Sequence, residues 1–259
     1  MQTDGDAPRV IVAADPAAAT ERAASHIAAA LAVAAAARGV AHWATTGGST
    51  APDIYRALAT EPLRDSVPWP AVHVWWGDDR FVPRDHPLSN VKPFDDLLRD
   101  LVPIAREHIH PIRMTEAIAD GRDPDWAAAA LATDLAAAGV PSDDGRPVLD
   151  LVVVGVGGDG HILSVFPDSA ALDAPPGAWG LAVPAPTHIE PHVERVTMHP
   201  GVVAAAHDVL VVATGAGKAD VLADVFGPER DVRRWPAQLT LHARATWILD
   251  EAAAARLPR

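Results

Sequence analysis

The sequence predicts an α/β protein: a mostly parallel open sheet with helices on both faces, Rossmann-like in plan. Three observations carry that expectation. Short β-branched runs alternate with Ala-rich helical stretches. The clearest run, Leu149–Val154, is unbroken and apolar, as a central strand buried on both faces must be. Polar, glycine-containing loops follow directly on several predicted strands.

In chain order, Val10–Ala13 reads as the first strand. Asp15 is placed to cap a helix that Pro16 opens and that stops near Arg38-Gly39. Ala41–Thr45 is the second strand, followed by the turn Gly47-Gly48 and a helix starting around Pro52. Val72–Trp76 is the third strand and Leu149–Val154 the central one. Arg195–Met198, Val209–Ala213 and Trp247–Leu249 follow as later strands, with helices near Lys218–Val225 and Asp250–Leu257. Pro141–Pro147 is a polar turn region, and the Pro- and Ala-rich stretch Ala174–Pro191 is expected to wander over the surface. Strands of one sheet lie on both sides of these stretches, so residues 1–259 are expected to form a single domain.

The chain of 259 residues carries 34 acidic against 21 basic side chains, a formal net charge of −13. That balance excludes a broad nucleic-acid footprint but leaves room for one small anion held by a few local cations and backbone N–H groups. Cysteine is absent, which excludes disulfides, thiolate catalysis and cysteine–metal sites and makes the cytoplasm the expected compartment. The longest apolar run, Ile27–Ala37, has 11 residues and is mostly Ala, whereas a membrane span needs about 20. Asp4, Asp6, Asp15 and Glu21 precede it where a secretory signal would carry positive charge.

Four loops gather the chemistry: Thr46–Thr50, Gly77–Arg80, Gly155–His161 and Thr214–Lys218. In an open parallel sheet, loops at the C-terminal ends of strands share one edge, where ligands bind. Gly47-Gly48-Ser49-Thr50 presents permissive backbone and hydroxyls before a helix, which suits an anion or simply a capped turn; no Lys follows as in a P-loop. Gly155–Gly160 satisfies a dinucleotide-type glycine pattern, but the chain then reaches Phe166-Pro167 and Pro175-Pro176 instead of a helix and second strand. His161, with Asp159 two residues earlier, suits a general base oriented by a carboxylate, or a structural histidine. Arg80, Lys218 and Arg195 are candidate phosphate ligands, or members of surface ion pairs. Asp78-Asp79 suits metal ligation or support of Arg80. Pro191 breaks any helix that would bring His188 and His192 together, and His108 and His110 lack a nearby carboxylate, so no metal centre is expected.

The ordered set of motifs resembles the 6-phosphogluconolactonase family, within the wider group that includes glucosamine-6-phosphate isomerases/deaminases. The matching stretches are Gly47–Pro52, Trp76–Pro83 with Ser89-Asn90, Gly155–Pro167, Arg195–Met198, Gly217–Ala219, and Trp235–Ala237 running into Trp247–Asp250. The resemblance implies a NagB/RpiA/CoA-transferase-like fold. It also implies hydrolysis of 6-phospho-D-glucono-1,5-lactone to 6-phospho-D-gluconate in the oxidative pentose phosphate pathway, with neither metal nor organic cofactor. The alternatives within reach are an isomerase/deaminase-like activity, a non-catalytic sugar-phosphate-binding module and a nicotinamide oxidoreductase. The resemblance assigns His161 to water activation and Asp159 to the carboxylate beside it. It assigns Gly47, Gly48, Ser49, Asp78, Arg80, Lys218 and Arg195 to substrate binding. The expected partner is a small-molecule sugar-phosphate lactone, with no nucleic acid and no membrane, for a chain that is a monomer or weak homodimer. Three departures stand out: Asp79 where the family carries Glu, Ile162 where it commonly carries Thr, and Gln238 where Ser is frequent. The deaminase branch has an acidic residue shortly before the proline of the His161 segment; Val165-Phe166-Pro167 has none.

Overall fold

The computed structural model describes residues 7–258; Asp4 and Asp6 lie outside them. The strands are β1 (Arg9–Ala13), β2 (Ala41–Thr45), β3 (Val72–Trp76), β4 (Asp78–Arg80), β5 (Ile109–His110), β6 (Ser142–Asp143), β7 (Arg146–Pro147), β8 (Leu151–Gly155), β9 (Gly180–Val183), β10 (Arg195–Met198), β11 (Asp208–Ala213) and β12 (Ala245–Asp250). The α-helices are α1 (Pro16–Arg38), α2 (Ala51–Leu58), α3 (Leu63–Ser66), α4 (Lys92–Leu97), α5 (Met114–Ala119), α6 (Pro124–Ala137), α7 (Val202–Ala205), α8 (Ala219–Val225) and α9 (Glu251–Ala254).

Seven strands form the main sheet in the order β1-β12-β11-β8-β2-β3-β5, every neighbouring pair parallel. Alternation along β8 builds two cores. Leu151 and Val153 meet Ile27 and Leu31 of α1 and Ile54 of α2, whereas Val152 and Val154 meet Leu131 of α6 and Leu222 of α8. The covered faces explain why this strand reads as continuously apolar.

Local signals set the helix boundaries. The Asp15 carboxylate accepts from the Ala18 N–H at 2.8 Å, Pro16 opens α1, and Gly39 closes it at φ 77°. The apolar run Ile27–Ala37 lies within α1, with Ile27, Ala28, Leu31 and Ala34 buried on its inner face and Val33 exposed on the other. Among the described residues no helix is long and apolar enough to cross a membrane.

Two stretches differ from the sequence reading. Gly77–Arg80 is not a free loop: Asp78–Arg80 is a strand of a second, antiparallel sheet ordered β4-β10-β9. Its outer strand β9 arises from the stretch expected to wander, where Gly180 lets the chain lie against α6; a Cβ there would sit 2.2 Å from the Ala128 carbonyl oxygen. The turn region 141–147 closes as the β6–β7 hairpin.

The two sheets meet at Gly77, the lone residue between β3 and β4. Its N–H donates to the Thr45 carbonyl at 3.0 Å on β2, and its carbonyl accepts from the Met198 N–H at 2.7 Å on β10.

Candidate active site

The chain runs from β2 toward β3 in one direction across the main sheet and from β8 toward β11 in the other. Loops leaving β2 and β8 therefore diverge and open a crevice at the C-terminal edge of the strands. The cleft there has a volume of about 220 Å³. Gly47, Gly48, Ser49, Asp78, Arg80, His161, Arg195 and Lys218 all line it, drawn from both sheets and from the loop after β11. Asp159 stands behind His161.

The His161–Asp159 pair is set by backbone geometry. The Nδ1–H of His161 donates to Asp159 Oδ1 at 2.6 Å, and the backbone N–H of His161 donates to the same oxygen at 3.1 Å. Gly157 is required for this: a Cβ there would lie 2.0 Å from His161 Nδ1 and 2.5 Å from Asp159 Oδ1. With Nδ1 protonated and held, the Nε2 lone pair is the basic position. Burial pushes the Asp159 carboxyl up, but hydrogen bonds from His161 and His188 outweigh it and hold the group well below the usual carboxylate range.

After His161 the chain makes a tight turn, with the Val165 N–H bonded to the Ile162 carbonyl at 2.9 Å and Leu163 at φ 54°. The helix that a dinucleotide site needs after its glycines is replaced by this turn. It delivers the Ser164 hydroxyl to Asp78 Oδ2 at 2.5 Å. Ile162 is fully buried in the core, so an apolar residue suits that departure.

Arg80 and Arg195 pair directly across the β4–β10 ladder. Arg80 donates from Nη1 to the Leu88 carbonyl at 2.8 Å, and Arg195 from Nη2 to the Pro191 carbonyl at 3.3 Å. The buried Nε of each lacks a hydrogen-bond partner among the described residues. Many basic side chains elsewhere are paired with carboxylates, as Arg84 with Asp95 and Lys92 with Asp96, each at 2.7 Å. Among the described residues, neither Arg80, Arg195 nor Lys218 forms an ion pair with a carboxylate. Burial pushes the Lys218 ammonium and the Arg195 guanidinium below their ordinary values, the Asp159 charge pulling back on each. Three under-partnered cations facing one cleft suit a multiply charged anion.

Asp79 turns away from the cleft. Its Oδ1 accepts from the N–H groups of Arg80 (2.8 Å) and Asn90 (2.7 Å), and its Oδ2 from the Ser89 hydroxyl (3.0 Å). Burial raises its pKa to about 7, with the backbone N–H bonds from Asn90 and Arg80 acting against it and the Asp78 charge adding to it. The carboxylate fastens the 89–90 segment, and Asn90 in turn donates its side-chain amide to the Asp78 carbonyl at 2.9 Å, so the two aspartates are linked through Asn90. Gln238 is likewise a fastener: it accepts from the Asp231 N–H and donates to the Val225 and Glu229 carbonyls, tying down residues 225–231.

Sequence reasoning missed two contributors. Asn90 reaches the cleft wall beside Gly47 and Asp78, with its Oδ1 buried and unpartnered. His188, weighed in the sequence only as a metal ligand with His192, donates from Nε2 to Asp159 Oδ2 at 2.8 Å. Asn90 stands in a stretch that matches the family pattern without an assigned role, whereas His188 meets Asp159 across 29 residues, where local spacing carries no signal.

Fold and cleft together define a Rossmann-like α/β protein holding cationic side chains and an aspartate-oriented imidazole at one sheet edge. The chain belongs to the family described as glucosamine-6-phosphate isomerases/6-phosphogluconolactonase, whose model matches residues 14–248. It is 32% identical to a 6-phosphogluconolactonase of Streptomyces coelicolor, over 98% of this chain and 96% of that protein. The structure of a 6-phosphogluconolactonase from Trypanosoma cruzi superposes with a TM-score of 0.83 at 26% identity, covering 97% of each chain. A monomeric glucosamine-6-phosphate deaminase shares the fold, with a TM-score of 0.77 at 15% identity over 96% of this chain and 99% of that one.

Proposed function

We propose that this chain hydrolyses 6-phospho-D-glucono-1,5-lactone to 6-phospho-D-gluconate, the lactone step of the oxidative pentose phosphate pathway. The observation that carries the reading is the sharing of one cleft by an Asp-held imidazole and three cations without carboxylate partners. Family membership and curated lactonase relatives support it. Within the family, the hydrolytic branch is favoured by the apolar wall beside His161. Val165 is fully buried and the Phe166 ring centroid lies 4.8 Å from the imidazole, in the segment where the deaminase branch has its acid.

In this reading Arg80, Arg195 and Lys218 hold the phosphate, and Asp78 and the Gly47-Gly48-Ser49 loop hold the sugar. His161 Nε2 takes a proton from water as its oxygen bonds to C1 of the lactone. The tetrahedral oxyanion then collapses, the C1–ring oxygen bond breaks, and the imidazolium returns the proton to the leaving oxygen. Asp159 keeps Nδ1 protonated and stabilises the imidazolium. A positioned base supplies about 10²–10⁴-fold, and anchoring through the remote phosphate supplies orientation. Water is the only co-reactant in this scheme. A cytoplasmic location as a monomer or weak homodimer completes the proposal; the cysteine-free composition supports the location.

The test is acid release from phosphorylated lactone generated in situ, with a chelator present and spontaneous hydrolysis subtracted. Catalysis in excess of background is expected. Ammonia release from glucosamine-6-phosphate, or tight binding of the lactone without turnover, would replace the proposal by the deaminase or the sensor reading.

A further inference from the structure

The carboxylate of Asp159 has two oxygens and two imidazoles. Oδ1 is fully engaged by His161, through both Nδ1–H and the backbone N–H. Oδ2 is held by His188 Nε2 at 2.8 Å, its one hydrogen-bond partner among the described residues. The aspartate lies on a glycine-flanked loop (Gly157-Gly158-Asp159-Gly160), and with Oδ1 taken by its neighbour the carboxylate still needs a restraint on the far oxygen. A donor on the second oxygen supplies that restraint. It comes from 29 residues away, on the segment between β9 and β10 that also carries the cleft residue Ile189.

The packing around the pair is specific. The Phe166 ring stands edge-on to His188 at a centroid distance of 5.7 Å and 89°, and tilted against His161 at 4.8 Å. The Arg195 guanidinium lies 5.2 Å over the same ring. His188 is about half exposed, with a side-chain exposure of 48%, so its cost of desolvation is small and its contact is adjustable.

We propose that His188 is a positioning residue: by donating to Asp159 Oδ2 it pins the carboxylate and thereby fixes the His161 ring with Nε2 toward the cleft. A second consequence follows from sharing one negative charge between two donors. An undivided carboxylate would stabilise the His161 imidazolium more strongly and leave less free base at low pH. The other charged groups acting on this carboxylate are Lys218 from the loop after β11 and Arg195 from β10. On the segment of His188 itself, Glu190 and His192 pair with each other at 3.1 Å.

The inference rests on the proposed hydrolysis for its kinetic readout and stands on a spectroscopic one besides. His188→Phe keeps an aromatic body and removes the donor; His188→Gln offers an amide N–H without a titrating ring. For His188→Phe, kcat is expected to fall about tenfold with KM within about twofold, and the acid limb of the rate profile to move up by roughly half a pH unit. His188→Gln is expected to recover kcat to within about threefold of the original protein. In NMR titrations of ring-labelled histidines, His161 should take up its proton at higher pH in His188→Phe than in the original chain. Unchanged kcat, rate profile and His161 titration in His188→Phe would overturn the proposal. So would equal impairment of the Phe and Gln variants, since that would reduce the contact to packing. If the original protein releases no acid from the lactone, the proposed reaction fails while the NMR titration still decides the clamp.

Discussion

Arg80 and Arg195 stand directly opposite each other across the β4–β10 antiparallel ladder, two guanidinium groups where a sheet tolerates like charges poorly. Arg195 is only 3% exposed and is the more costly of the two. Such an arrangement persists where an anion is to be gripped. Arg195→Met is therefore expected to raise stability by about 1 kcal/mol in denaturant unfolding. The same change should raise KM for the phosphorylated lactone about tenfold or more. A destabilised variant with unchanged KM would remove Arg195 from the anion site.

Arg80→Met and Lys218→Met should each raise KM for the phosphorylated lactone by about 10–100-fold, the worth of a charge-assisted hydrogen bond. Glucono-1,5-lactone without the phosphate should respond much less. Side-by-side kinetics on the two substrates make the comparison, and an equal effect on both would refute the phosphate assignment.

His161→Ala should lower kcat by roughly 10²–10⁴ while the thermal unfolding midpoint stays close to that of the original chain. Gly157→Ala should produce a similar loss with every catalytic side chain still present, because the added methyl occupies the space of the imidazole and its carboxylate partner. Steady-state kinetics with circular dichroism as a fold check distinguish the two causes.

Alkaline pH tests Lys218. Burial lowers the pKa of its ammonium, so the positive charge is lost as pH rises through a value below the ordinary 10.5. KM should climb over that interval, after subtraction of spontaneous hydrolysis. Lys218→Arg, which keeps its charge, should flatten the rise.

Asp79 makes a prediction about stability. Its folded pKa of about 7 lies above the unfolded value of 3.8, so between these pH values the native state binds more protons than the unfolded state. Stability is then greatest below the unfolded pKa and is lost as pH rises through about 7. The difference is on the order of 4 kcal/mol at the limit of full burial. Asp79→Asn retains an acceptor for the two N–H groups and can meet the Ser89 hydroxyl through its amide. Denaturant unfolding from pH 4 to 8 should show a shallower decline for that variant than for the original chain.

What was legible in the sequence is what depends on neighbours along the chain. The boundaries of α1 follow from Asp15, Pro16 and Gly39, and the main strands from short stretches rich in Val, Ile, Leu and Trp. The edge that carries the cleft was legible because loops leaving the C-terminal ends of parallel strands gather there. The antiparallel sheet was not, since Asp78–Arg80 is short and charged and meets its partner strand more than a hundred residues later. α6 also escaped, because its Ala-rich sequence shows no polar–apolar stripe. Likewise, His188 meets its aspartate through a folded path that periodicity does not record.

The splice between the two sheets has a consequence for how the chain tolerates change in length. One residue, Gly77, separates the last position of β3 from the first of β4, and both its backbone groups are already committed, one to each sheet. An insertion there would slide Arg80 along the ladder and turn its guanidinium to the opposite side of the small sheet, while leaving the imidazole where it was. The two ends of the cleft are thus kept in step by a single peptide unit, and lengthening belongs elsewhere, on connections that join neither.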